Sequence, residues 1–224
     1  PYSLAVALFS RFSGLSPLIS LEIAGIFNLV FFLWAFRFFL DRLFNKKEPA
    51  FYALLFFLLL WGRRPWWWSG FFHLNVLPFA LPYPATFAAG LTFLGLARFL
   101  LILNNKKRSR FIGLGVIALL VLLIHPLTFI FLAVGLLALA LGDGRRAKAD
   151  WLRLAAVILI PFGLAGFWPY YDFFRLIFNE SSVQWPGNRV LYISVWRRIY
   201  PALIGLPFLI VRFRKNRRDP LLLI

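Results

Sequence analysis

Two histidines and three arginines carry most of the chemistry this sequence offers. His73 lies in the stretch SGFFHLN, residues 69–75. An imidazole there can bind a phosphate or act as an acid or base near neutral pH, and it also reads as an interfacial ring with no task. His125, followed by Pro126, interrupts an otherwise apolar stretch over 111–142. A polar ring in such a setting is costly unless it lines a cavity or finds a partner. The same dipeptide also reads as a helix-breaking turn whose ring faces water at the rim. Arg63, Arg64 and Arg189 carry guanidinium forks that match phosphate oxygens bidentately. Arg63, Arg64, His73, His125 and Arg189 are therefore the expected substrate-binding residues, for a lipid-linked phosphate. Binding of ordinary lipid headgroups explains the arginines equally well.

The remaining polar residues are sparse. Glu22 is one of only three glutamates and stands near the start of an apolar helix. It faces either a polar cavity or the interface. Asp172 has Arg175 one turn later, which suggests an i,i+3 ion pair. Trp66, Trp67, Trp68, Tyr170, Tyr171 and Trp185 can stack on sugar rings or form a membrane-interface belt. Asn179-Glu180-Ser181 matches a glycosylation sequon, a weak three-residue match. There is no cysteine, and two histidines alone cannot build a histidine-rich metal site. No glycine-rich phosphate loop and no metal-ligand spacing is present. No catalytic residue or cofactor is assigned.

Composition says where these residues must sit. Of 224 residues, 62% are hydrophobic and 15% charged, with a mean hydropathy of +0.80. Ordinary globular chains are roughly 45–50% apolar. A soluble domain of this size cannot hide so much apolar surface, because roughly a third of its surface stays exposed. Soluble enzymes, disordered tails and disulfide scaffolds are excluded. The net charge of +17 resembles that of a nucleic-acid binder. Here, however, the positive residues sit in short clusters between apolar runs: Lys46-Lys47, Lys106 to Arg110, Arg145 to Lys148 and Arg212 to Arg218. That is the pattern of cytoplasmic loops. The expected partner is membrane lipid, with no nucleic acid.

The expected fold class is all-α: a polytopic integral membrane helical bundle with short or broken helices and re-entrant outer loops. One transmembrane domain covers 1–224. Its helices are expected near 2–13 (juxtamembrane), 18–44, 50–62, 85–103, 111–124, 127–142, 151–168 and 190–211. Twelve residues at 1.5 Å each fall short of a core about 30 Å thick, so 2–13 does not cross. Segment 63–84 holds four prolines and three consecutive tryptophans, which forbids a continuous helix. One helix over 111–142 would be about 48 Å long and would split the flanking basic clusters between two sides. A hairpin turning at His125-Pro126 keeps them together. The chain opens on Pro1 without Met and closes on Pro220-Leu221-Leu222-Leu223-Ile224, so a piece of a longer chain is expected. The expected location is a plasma or inner membrane, with the basic loops cytoplasmic.

Residues 1–18, PYSLAVALFSRFSGLSPL, lead into a long helix ending FRFFLDRLF, and a short hairpin surrounds LLIHPLTFIFLA. This order resembles GT-C-type membrane glycosyltransferases over 1–45 and 111–142. The resemblance implies transfer of a sugar from a polyprenyl-phosphate donor at the outer face. The family's catalytic carboxylate lies in an outer loop that would precede Pro1. Asp172 and Glu180, the outer-loop carboxylates here, match no family position, so no catalytic residue is carried over. A transporter or flippase-like permease for a lipid-linked or anionic solute is the alternative, because broken helices suit it too.

The charge pattern places 45–49, 104–110, 142–150 and 212–219 on one side, opposite 63–84 and 169–189. The chain has no native cysteine, so single cysteines at Asn105 and Ser181 are clean probes. A membrane-impermeant thiol reagent should label them from opposite faces of sealed vesicles; labelling from the same face would refute the arrangement.

Overall fold

The computed structural model describes residues 1–59, 77–105, 110–143, 148–178 and 200–217, and every regular element among them is helical. In chain order these are α1 (Tyr2–Ser13), α2 (Pro17–Phe44), α3 (Glu48–Leu59), α4 (Leu77–Ala80), α5 (Pro84–Asn105), α6 (Arg110–Ile124), α7 (Pro126–Asp143), α8 (Lys148–Ala165), α9 (Phe173–Phe178), a 3₁₀ turn (Tyr200–Gly205) and α10 (Leu206–Lys215). Local chemistry sets several boundaries. Gly14 ends α1 with φ of 70°, a left-handed conformation that glycine adopts without steric cost. The Ser16 hydroxyl then accepts the Ile19 N–H at 3.3 Å, and Pro17 opens α2 where no backbone N–H is needed. Asn45 closes α2 in the left-handed region.

α5 is the central helix, packed against α2, α6 and α7. Contacts along it fix every direction. Gly25 lies against Pro82, and Gly90 lies against the Phe31 ring, so α2 and α5 run parallel. Gly95 meets Ile117 while Gly113 meets Arg98, so α6 runs antiparallel to α5. Gly135 meets Leu96 and the Phe93 ring meets Phe131, so α7 runs parallel to α5. α6 and α7 therefore form an antiparallel hairpin about His125. The Arg153 guanidinium lies 5.9 Å from the Phe111 ring, and Phe162 is 5.3 Å from Phe129. This sets α8 parallel to α6. Phe57 packs on Phe32 and Phe36, which brings α3 back along α2.

One end of the bundle consequently gathers the end of α2, the end of α5, the start of α6, the end of α7 and the start of α8. Arg212 of α10 reaches this end too, 5.8 Å over the Phe44 ring. The opposite end carries the start of α5, the α6–α7 turn and the end of α8. Between the two ends lies an apolar core in which Leu96, Leu114, Val121, Leu132, Leu139 and Leu154 are fully buried. Phe93 anchors it with edge-on contacts to Phe36 at 5.0 Å and Phe32 at 5.7 Å.

Among the described residues, three helices are long and apolar enough to cross a membrane: Pro17–Phe44, Pro84–Leu103 and Pro126–Asp143. The expected returning helix over 190–211 differs in its described part. Tyr200–Gly205 is a 3₁₀ turn, and the α-helix starts only at Leu206. Pro207 has no N–H to continue an earlier turn, and it suits the first turn of a new helix. The expected helix over 151–168 ends at Ala165. Residues 60–76 and 179–199, which include the end of the expected 50–62 helix, lie outside the described residues.

Close approach of α2 to α5 depends on Gly90. A Cβ there would stand 2.7 Å from the Phe31 ring and 3.4 Å from the Phe32 Cα. Gly90→Val should cost about 1–3 kcal/mol through overpacking. Gly163 in α8 has open space around its Cα, so Gly163→Ala should be neutral or stabilising by about 0.5–1 kcal/mol. Thermal unfolding of both variants in the same detergent checks the contrast.

Candidate functional site

The end of the bundle opposite the basic cluster holds its unusual polar chemistry. α6 and α7 are separated by His125 alone. Helix ends leave backbone groups without partners, and at this turn side chains supply them. The His125 Nδ1 accepts the Thr128 N–H at 3.3 Å, so it lacks a proton. The Thr128 hydroxyl, 2.7 Å away, then donates to the same nitrogen, and the ring proton sits on Nε2. His125 is thus the N-cap of α7. At the end of α6, the Tyr171 hydroxyl donates to the Leu123 carbonyl at 2.6 Å. Burial holds the His125 pKa below its ordinary value and raises that of Tyr171. The ring is therefore neutral at pH 7 and presents Nε2–H as its free donor.

A second polar cluster supports the turn between α4 and α5. The Thr86 hydroxyl donates to the Ala80 carbonyl at 2.6 Å. The Asn28 Nδ2 donates to the Leu81 carbonyl and to the Tyr2 hydroxyl, both at 2.8 Å. The Tyr2 hydroxyl donates onward to the Pro82 carbonyl at 3.0 Å. Three successive carbonyls of a proline-broken segment are thereby paired. Asn28 is fully buried, yet its Oδ1 has no partner. Trp168 has a buried Nε1 likewise unpaired. A cavity of about 320 Å³ lies beside Asn28, walled by Tyr2, Phe9, Phe27 and Phe87.

Of the five expected binding residues, His125 is placed at this end, at the hairpin turn. Arg63, Arg64, His73 and Arg189 lie outside the described residues, as do Trp66, Trp67, Trp68, Glu180 and Trp185. Glu22 is exposed on the second turn of α2. Asp172 does not pair with the Arg175 side chain. Its carboxylate accepts the Arg175 backbone N–H at 3.0 Å and caps α9, because the first turn of a helix offers free donors there. Tyr2, Asn28, Thr86 and Thr128 were missed in the sequence reading. A lone asparagine in the apolar stretch between Glu22 and Arg37 of α2 was the available signal. Among the described residues, no group of three His, Cys, Asp or Glu side chains stands close enough to hold a metal ion. No family model, curated protein or solved structure matches the chain.

The capping role makes a graded prediction. His125→Ala should cost about 1 kcal/mol, whereas His125→Asn, which retains a side-chain acceptor, should cost only a fraction of that. The wild type should also lose stability in acid. Folded His125 binds a proton less readily than the unfolded chain. Its contribution is complete above the ordinary imidazole pKa of about 6.5 and is lost as pH falls from there through the lower folded pKa. Unfolding midpoints of the three proteins at pH 7.5 and pH 5.5 measure both effects. A wild type no more acid-sensitive than His125→Asn would refute the assignment.

Proposed function

We propose that this chain is the membrane-embedded core of a polytopic protein that handles a lipid-phosphate-linked substrate at the end bearing His125. Its basic end faces the cytoplasm. The observation that carries the membrane part is the outer face of α7. Leu127, Ile130, Val134, Leu137 and Leu141 recur at three- and four-residue spacing and are all exposed. α2 adds exposed Ile26, Phe27, Val30 and Trp34. Apolar faces of this extent mark contact with lipid or another apolar partner. Gathering of Arg42, Arg110, Lys148 and Arg212 at one end supports the cytoplasmic assignment through the positive-inside rule.

The reaction is sugar transfer from a polyprenyl-phosphate donor, in the manner of the GT-C-type enzymes the sequence resembles. The support is the broken end. Irregular backbone at membrane depth persists where protein buries it or a wet cavity meets it. Here two broken segments, at 80–84 and at 125, stand at one end beside a neutral imidazole with a free N–H. A permease for the same class of solute rests on the broken helices alone.

The protein in proteoliposomes, supplied with a polyprenyl-phosphate sugar, separates the readings. Release of polyprenyl phosphate with sugar passed to an acceptor supports transfer. Movement of the intact lipid between leaflets without turnover supports the permease and overturns transfer. Arg63→Ala, Arg64→Ala and Arg189→Ala should each weaken lipid-phosphate binding by about 1–3 kcal/mol per charged hydrogen bond lost. Unchanged binding in all three would reduce these arginines to interface anchors.

A further inference from the structure

A groove of about 350 Å³ runs between α6 and α8 on the surface of the bundle. It begins at Phe111 and Arg153, at the basic end, and extends to Leu119 on α6 and Leu164 on α8. From Arg153 to Leu164 is eleven residues, or about 16 Å along a helix. That equals roughly half of a hydrocarbon core about 30 Å thick. Gly115 and Ala156 lie in the groove, and a Cβ at Gly115 would meet nothing within 4 Å. The other lining residues are apolar except Arg153.

Charge is confined to one end. Arg153 is half-buried, and its Nη1 donates to the Asp150 carboxylate at 2.7 Å. A guanidinium has five N–H donors, so others remain for a second anion. Lys148 is exposed five residues before it, at the start of α8, and Arg110 stands beside Phe111 in sequence. An apolar groove with a half-buried guanidinium at one end matches an amphiphile that has an anionic head and an apolar tail.

We infer that this groove seats one acyl chain of an anionic phospholipid whose phosphate meets Arg153. The chain lies along Gly115 and Ala156 for the depth of one leaflet, with its headgroup at the basic end. The inference rests on the membrane reading above and names the lipid that the basic end selects.

Native mass spectrometry of the detergent-purified protein tests it, with dioleoyl phosphatidylglycerol and dioleoyl phosphatidylcholine as probes. The wild type should retain one phosphatidylglycerol about fivefold more tightly than phosphatidylcholine, as one arginine at a lipid headgroup provides. Arg153→Ala should remove the preference. Gly115→Leu extends into open space, so it should fold normally and lose retention of both lipids. Equal retention of the two lipids by the wild type overturns the inference, as does a Gly115→Leu protein that holds phosphatidylglycerol like the wild type. A wild-type dimer abolished by Gly115→Leu also overturns it and assigns the groove to a second copy. Each preparation is also scored for recovery in alkali-washed membranes. Loss there fails the membrane reading itself, whatever the lipid titration shows.

Discussion

Breaking a helix in apolar surroundings exposes backbone groups that must be paired, and much of this bundle is arranged around that constraint. An unpaired buried amide or carbonyl costs about as much as a lost hydrogen bond. Two breaks occur at the same end, and each is met by side chains from distant parts of the chain. At the hairpin turn, His125 and Thr128 close the start of α7, and Tyr171 closes the end of α6. At the α4–α5 turn, Thr86, Asn28 and Tyr2 take three successive carbonyls. These bonds tie α1, α2, α5, α6, α7 and the segment after α8 to one end of the molecule. The opposite end has α-helical termini at its surface and carries Arg42, Arg110, Lys148 and Arg212.

Packing between the helices follows a different rule. α5 contacts its neighbours through small residues, and large rings fill the gaps they leave. Gly90 admits the Phe31 ring, Gly95 and Gly135 admit leucines, and Phe93 bridges α2 and α7. Small residues at helix contacts suit association where no hydrophobic force separates helix from lipid. The outward face of α7 is apolar from Leu127 to Leu141, as the core is.

Local signals were legible in the sequence. Ser16-Pro17 marked the start of α2, and Pro126 marked the break between α6 and α7, because proline removes a specific backbone donor. The helix ends that bear Arg42, Arg110, Lys148 and Arg212 meet at one end of the bundle. The partners that satisfy the breaks were not legible. Tyr171 and Leu123 are 48 residues apart, and Asn28 and Leu81 are 53 apart. Nothing in local spacing pairs them. Asp172 was read through its charge, yet its structural use is as an acceptor for a backbone N–H. His125 was read as either a ligand or a turn. The turn role is met by Nδ1, and the ring's other nitrogen is left over.

That division within one ring constrains the chemistry available at this end. A cationic imidazole would suit a phosphate best, but protonating Nδ1 would sacrifice the bond from the Thr128 backbone N–H and uncap α7. Burial disfavours the cation as well. His125 is therefore fixed as a neutral donor through Nε2–H, able to hydrogen-bond a phosphate oxygen or a hydroxyl without supplying charge. Any positive charge used on an anion at this end must come from residues other than His125. Arg63, Arg64 and Arg189 are the sequence candidates, whereas Arg42, Arg110 and Lys148 are committed to the far end. Under the proposed function, a phosphate at the broken end takes its orientation from the Nε2–H of the hairpin turn, and Arg63, Arg64 and Arg189 are the residues proposed to supply its charge.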